Sequence, residues 1–530
     1  MSAAGTTVPS STKILVIGGG PSGSMCASAL AREGFEVTLL EKDFFPRYHI
    51  GESMLPSCRP FLKFVGAEEK IAKHGFAVKV GAAVKLNQFK REGYTDFVTP
   101  DPNRAAWNVV RSEFDEILLR HAVESGAKVF EGHYVTDIQF AEPESSEERR
   151  PISADWRSKT AGTEGRISFD FVVDCSGRTG LLSTKYLKTR KFNSALRNVA
   201  FWSYWKGAGL YGAGTRRENA PWFEALTDES GWAWFIPLHD GVTSVGIVMK
   251  EDLSKEKKAK SGNDLTQHYL DQMPLAPGMM KLLGCEAKMI KDVMQAGDYS
   301  YSSEASRYAG PGYRICGDAG AFIDPFFSSG VHLAFVNAIS AAATISSSIR
   351  GECSEEQAIK FHSEKTGTSY TRFMVVVLSV YRQITSQQTP VLSDIDEDNF
   401  DRAFDFLRPV IQGIADADRV GAGVTETHVQ ATMDFCEHAL GGTNPEMAEE
   451  VAQRVNPDLL DRSKPIMSMD EVTESVGDDD EDAKAVVMRV NARKAINGMY
   501  DWEENFRDER LSGGYVVRLE RGRLGIEVVA

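Results

Sequence analysis

The chain is 530 residues long, 42% of them hydrophobic, with a formal net charge of −15. That length and apolar content can bury a large core and predict roughly two to four structural units. The acidity excludes a nucleic-acid binder, which needs clustered Lys and Arg for phosphate; part of it is one run, Asp478-Asp479-Asp480-Glu481-Asp482, that reads as a solvated loop.

Seven cysteines (Cys26, Cys58, Cys175, Cys285, Cys316, Cys353 and Cys436) form no C-x-x-C pair and no metal-like cluster. The expectation is reduced thiols, no metal, and a cytoplasmic location. Residues 1–12 lack the apolar core of a signal peptide, and no run of about eighteen apolar residues exists, 373–380 being the richest short stretch. No membrane association is expected.

In chain order, 13–17 is a short apolar strand followed at once by Gly18-Gly19-Gly20-Pro21-Ser22-Gly23. The helical pattern of 25–32 comes next, then a second strand over 35–40 that ends at Glu41. This β-α-β unit fits G-x-G-x-x-G. Gly18, Gly20 and Gly23 let the backbone approach a pyrophosphate at a helix N-terminus, and Glu41 can accept a hydrogen bond from a ribose hydroxyl.

Polar stretches at 141–165 and 251–264 predict surface loops or turns. A strand over 169–173 closes on Asp174-Cys175-Ser176-Gly177, and another over 314–316 closes on Gly317-Asp318. Between them 192–250 alternates, with strands over 199–205, 232–237 and 243–249, which predicts an antiparallel sheet inserted between pieces of the first unit. From about 340 the pattern is mostly helical, apart from a terminal strand over 514–529. The predicted fold class is α/β. A Rossmann-like dinucleotide-binding domain covers 13–190 and 290–350, an antiparallel substrate domain 191–289, and a mainly helical region 351–530.

The strand ends at Asp174 and Asp318 resemble the two later fingerprints of flavoprotein hydroxylases. Arg111 matches the Arg that this superfamily places at the start of a helix over the cofactor. In that order on one chain, they imply an FAD site made by Gly18, Gly20, Gly23, Glu41, Arg111 and Asp318.

Three more segments resemble the flavin-dependent halogenases, nearest to the fungal phenol halogenases of aromatic polyketides, and the likeness runs through most of 13–340. His49-Ile50-Gly51-Glu52-Ser53-Met54-Leu55-Pro56-Ser57 looks like their GES-x-LPS signature. Trp232-Ala233-Trp234-Phe235-Ile236-Pro237 is a complete W-x-W-x-I-P. Phe322-Ile323-Asp324-Pro325-Phe326-Phe327-Ser328-Ser329-Gly330 fits F-x-x-P-x-x-S-x-G.

On a strand, Trp232, Trp234 and Ile236 project to one face, as a wall between flavin and an aromatic substrate or as plain sheet core. Ser328-Ser329-Gly330 precedes a helical run over 331–345, where backbone N–H groups can hold an anion. The resemblance assigns chloride to Ser329 and Gly330; an ordinary Ser N-cap is compatible with that. It assigns catalysis to Lys79, with Lys85 as competitor, and burial would lower the amine pKa. Phe327 stands where the tryptophan halogenases carry a Glu, which favours a phenol over an indole. The substrate's general base stays open among His332, Asp324 and Glu52, and His49 reads as structural.

The resemblance therefore implies an FADH2-dependent halogenase supplied by a separate flavin reductase, with O2 and chloride or bromide as co-substrates. A flavin C4a-hydroperoxide would yield HOCl, which Lys79 would pass to a phenol ring. Beside it stand an aromatic hydroxylase that reduces its own FAD with NAD(P)H, and a non-catalytic flavin-fold module. Intact Lys79 and Ser329-Gly330 argue against the module.

Overall fold

The computed structural model describes residues 7–86, 88, 89, 92–98, 102–141, 149–387, 445–461, 464, 467, 469–477, 480–487, 490, 511 and 514–528. Ser11–Ile17 is a strand whose Ile14, Leu15 and Val16 are wholly buried, as a strand inside a parallel sheet requires. It pairs in parallel with Val37–Glu41 and with Glu164–Asp174, and the sheet continues to Lys128–Glu131 and Tyr313–Ile315. His133–Phe140 and Pro151–Ser158 extend it with antiparallel pairing. Helix Pro21–Arg32 packs on Arg111–Glu124 and Gly330–Arg350, around a core shared by Ile14, Val16, Leu39 and Phe335.

The second sheet also has eight strands. Its longest, Arg190–Lys206, pairs antiparallel with Val242–Lys250 and Met294–Ser303. Gly231–Pro237 lies beside Val242–Lys250, followed by Trp222–Ala225, Gly81–Lys85 and Gly93–Asp96. The sheet is antiparallel as predicted except at one junction, where Trp222–Ala225 runs parallel to Gly81–Lys85. It draws strands from 81–96 and 294–303 as well as from 191–289. Alternation gives it two cores. Trp232, Trp234 and Ile236 face Phe373 and Val377 of helix Glu355–Ile384, while Ala233 and Phe235 face Tyr269 and Met279.

Several expectations need correction. Within 141–165, Pro151–Ser158 is a strand, and Glu164–Asp174 begins there too. Within 251–264, Glu251–Lys260 is a helix. It has no apolar stripe to reveal it and is held instead by Glu251–Lys255 and Glu256–Lys260 pairs at 2.6 and 2.9 Å, with acids in the first turn and lysines in the last. The terminal strand is a hairpin, Tyr515–Arg518 with Gly525–Val528, docked on Gly330–Arg350 where Ile526 N donates to Ser347 Oγ at 2.8 Å.

Gly330–Arg350 and Glu355–Ile384 are the helices that the pattern beyond 340 predicts. What that pattern implied for 388–444 and 491–510 falls outside the described residues, as do Asp478 and Asp479 of the acidic run, whose Glu481 and Asp482 begin a helix and not the expected loop. Gly330–Arg350 is long and apolar enough by composition to cross a membrane, but 94% of its apolar window is buried, so it is a core helix. The six described cysteines are free thiols, and Cys436 lies outside the described residues.

Candidate active site

A cavity of about 580 Å³ opens between the two sheets. The first sheet and its turns contribute Gly18, Gly20, Glu41, Cys175 and Asp318, and helix Arg111–Glu124 its first residue; the second sheet contributes Trp202, Phe223, Trp232, Trp234 and Ile236. Glu52, Ser53, Ser328 and Gly330 complete the wall between them.

The glycine turn has the shape expected of a nucleotide cradle. Gly18 has φ +102°, and a Cβ there would lie 2.3 Å from the Cys175 carbonyl oxygen, so no side chain fits. Gly23 lies buried in the first turn of helix Pro21–Arg32, which starts with Pro at its first position. Glu41 is buried at the end of its strand; its Oε2 accepts from Gly19 N at 2.5 Å and its Oε1 from Asp43 N at 2.8 Å. Arg111 opens helix Arg111–Glu124 and donates to the carbonyls of Ile50 and Gly51 at 2.9 and 3.2 Å and to both oxygens of Asp115. It thereby pins the Gly51-Glu52-Ser53 segment to the cavity.

Asp318 is half-buried, and desolvation pushes its carboxyl above the usual range against Arg178, Arg111 and Arg190. Two cavity cations escaped the sequence reading. Arg47 is held by Asp115 at 3.1 Å beside Gly20, and Arg178 lies over the Phe322 ring. Arg47 sits in a loop without a motif, and Arg178 in the short turn Gly177–Thr179 at the end of the Asp174-Cys175-Ser176-Gly177 fingerprint. The cradle at Gly18, the helix N-terminus and the two guanidiniums together fit a dinucleotide.

At the second sheet, Trp232, Trp234 and Ile236 do share the cavity face, and Trp232 is only 1% exposed. The Trp232 indole donates to Tyr381 Oη at 2.8 Å, and that of Trp234 to Ser244 Oγ at 3.1 Å. Ser328 takes a left-handed turn (φ 57°), and helix Gly330–Arg350 then begins. Ser329 precedes that helix in helical conformation, and its side chain caps nothing. Its Oγ is buried with no hydrogen-bond partner. The ordinary N-cap reading therefore fails, and a polar atom is left for another occupant.

Lys79 ends the strand Ala77–Lys79 and is 2% exposed. Its Nζ donates to Ser53 Oγ at 2.8 Å and to the Met54 carbonyl at 2.9 Å, with the Phe97 ring centroid 5.1 Å away. It stands behind Ser53, which lines the cavity. Burial pulls its amine down to about 7. Lys85 is only half-buried and does not line the cavity.

Of the three open candidates for a base, Glu52 alone lines the cavity. Tyr204 Oη donates to its Oε1 at 2.5 Å, Oε2 has no partner, and burial lifts the carboxyl to about 7. Asp324 is fully buried, with its carboxylate bonded to Tyr381, Asn198 and Phe326 N. His332 is buried between the rings of Phe61 and Phe373. The Arg111 guanidinium lowers the imidazole of exposed His49 below its ordinary value, and Nδ1 donates to the Ile50 carbonyl at 2.6 Å.

Comparison with known proteins agrees with this geometry. The chain matches the tryptophan halogenase family over residues 13–99 and 99–405. It is 57% identical over 529 residues to a flavin-dependent halogenase of Armillaria mellea, covering 98% of this chain and 99% of that one. It is 45% identical over 538 residues to the sulochrin halogenase of Aspergillus terreus, covering 98% and 94%. Among solved structures, the flavin-dependent halogenase CmlS shares 25% identity at a TM-score of 0.69, over 97% of this chain and 84% of that one. The myxobacterial chondrochloren halogenase CndH, an FAD-dependent enzyme, shares 26% at 0.63, over 81% and 97%. Matched along nearly its whole length, the chain belongs to the tryptophan halogenase family and is a flavin-dependent halogenase.

Proposed function

We propose that this enzyme places halogen, chloride in the first instance, on an electron-rich phenolic ring of an aromatic polyketide-type molecule. The relative named for sulochrin supports the substrate class. So does Phe327, whose ring packs on Phe326 at 5.1 Å where an indole chlorinator would carry a carboxylate. Bound FAD, delivered reduced by a separate flavin reductase, supplies with O2 the oxidising equivalent that converts halide to hypohalous acid.

The chain's own residues do the rest. Gly18, Gly20, Gly23 and Glu41, with Arg47, would hold the nucleotide half of FAD, and Arg111 and Asp318 the half nearer the chemistry. The amides of Ser329 and Gly330 hold the halide, with the unpartnered Ser329 Oγ beside them. Trp232 and Trp234 keep the arene away from the flavin. Lys79, poised near neutrality, donates a hydrogen bond to hypohalous acid as ammonium, or as free amine takes halogen and releases water. Substitution on the ring then joins carbon to halogen. The ring proton passes to the Glu52 carboxylate. From hypohalous acid the hydroxide leaves with the Lys79 ammonium proton as water, whereas from the haloamine Lys79 keeps the bonding pair and regains a proton, its water having left already.

The observation that carries this reading is Lys79, a buried amine held by Ser53 and the Met54 carbonyl directly behind the cavity wall. Lys79→Ala should lower product formation by at least ~10²-fold while FAD affinity and halide-independent flavin reoxidation stay at wild-type values. Persistent chlorination in that variant would remove Lys79 from the mechanism.

A further inference from the structure

Asp324 lies between Ile323 and Pro325, which line the cavity, yet it does not line it. Its Oδ1 accepts from Phe326 N at 3.0 Å; its Oδ2 accepts from Tyr381 Oη at 2.5 Å and from Asn198 Nδ2 at 3.3 Å. The Tyr381 oxygen in turn accepts from Asn198 Nδ2 and from Trp232 Nε1, each at 2.8 Å. Four elements therefore meet at one carboxylate and one phenol: the turn Pro325–Phe327, the strands Arg190–Lys206 and Gly231–Pro237, and helix Glu355–Ile384.

A carboxylate with no exposure is tolerated only where donors are fixed around it, and such a network favours one arrangement of the groups it ties. Two of those groups border the cavity. The Trp232 indole is one, and the Pro325–Phe327 turn that leads into Ser328-Ser329-Gly330 is the other. The Phe326 ring also packs on Trp232 at 4.9 Å, so turn and indole are linked both directly and through Tyr381 and Asp324.

We propose that Tyr381 is a positioning residue. Its hydroxyl orients Trp232 directly and, through Asp324, sets the turn that presents Ser329 and Gly330, so that barrier and anion site are held as one unit. The consequences for halide rest on the roles given above to Trp232, Ser329 and Gly330; the linkage itself does not.

Tyr381→Phe keeps the ring and deletes only the shared hydroxyl. In wild-type protein the Trp232 indole N–H, assigned by its loss in Trp232→Phe, should exchange slowly with solvent. In Tyr381→Phe it should shift and exchange at least ~10-fold faster. During turnover, Tyr381→Phe should raise the halide KM about 3- to 10-fold, the worth of one hydrogen bond, and divert flavin oxidation from aryl halide to peroxide. FAD affinity should change little, while thermal stability should fall, because Asp324 loses a donor and the Trp232 N–H an acceptor. Trp232→Phe combined with Tyr381→Phe should raise the halide KM by less than the two changes multiplied together, because they share the indole–hydroxyl contact while Tyr381 also acts through Asp324.

An unchanged indole signal and halide KM, or additive effects in the double variant, overturns the proposal. Should Tyr381→Phe fail to fold, Asp324→Asn, which keeps the size but loses the charge and one of the two accepting oxygens, must also raise the halide KM for the proposal to survive. If the indole responds as expected but wild-type enzyme halogenates no phenol, the positioning link stands and the phenol assignment falls.

Discussion

Lys79 and Glu52 reach neutrality from opposite directions for one reason, since burial penalises whichever form is charged. For Glu52 the folded chain holds its proton to higher pH than the unfolded chain. Its ionisation therefore costs stability as pH rises from the ordinary carboxylate range through about 7. For Lys79 the cost is full below about 7 and fades as pH rises toward the ordinary lysine range. Glu52→Gln should thus gain on the order of 1–2 kcal/mol over wild type near pH 8 but not near pH 5, measured by denaturant unfolding. Product formation should fall at the same time. An equal pH dependence in both proteins would show that Glu52 is not the titrating group. Lys79 was nominated by the family resemblance from its place within residues 76–82, and its contact with Ser53 is seen only in the folded chain. Tyr381 was not, because its partners Asn198, Trp232 and Asp324 stand 183, 149 and 57 residues away. No local pattern reports such a network.

The strand Gly231–Pro237 shows what a motif can and cannot say about an element. Alternation alone puts both indoles on one face. The neighbour that makes room for them lies elsewhere in the chain. Trp234 is registered against Gly246, where a Cβ would stand 2.2 Å from the indole. Gly246→Ala should push the Trp234 ring off its position at a cost of about 1–3 kcal/mol. A lower unfolding midpoint, altered tryptophan fluorescence and a smaller yield of aryl halide per flavin oxidised would report it. Wild-type yield with a displaced indole would mean that the ring is core and no barrier. Glu251–Lys260 was misread for a related reason. Its stability comes from charge pairs and termini rather than from an apolar stripe, so hydrophobic periodicity is blind to it.

Over the whole molecule, the glycine turn, the parallel strands near 13–17, 35–40, 169–173 and 314–316 and the W-x-W-x-I-P strand were legible because each is local and strongly patterned. The interleaving of the sheets was not. Gly81–Lys85 joins Trp222–Ala225 in a parallel pair that chain order gives no reason to expect, and this brings the stretch that bears Lys79 beside the second sheet. The cavity is closed by both sheets, with a glycine cradle in one, a tryptophan face in the other and a buried amine behind the wall, the arrangement that the proposed separation of arene from flavin would use. The most direct test is mass spectrometry of products from a panel of phenolic polyketides incubated with the enzyme, FAD, a flavin reductase, NADH, air and chloride or bromide. The account predicts halogenated phenols carrying the isotope pattern of the halide supplied, formed only with the reductase present and lost in Lys79→Ala. Phenols that gain oxygen instead of halogen, or flavin reduced by NAD(P)H without the reductase, would contradict it.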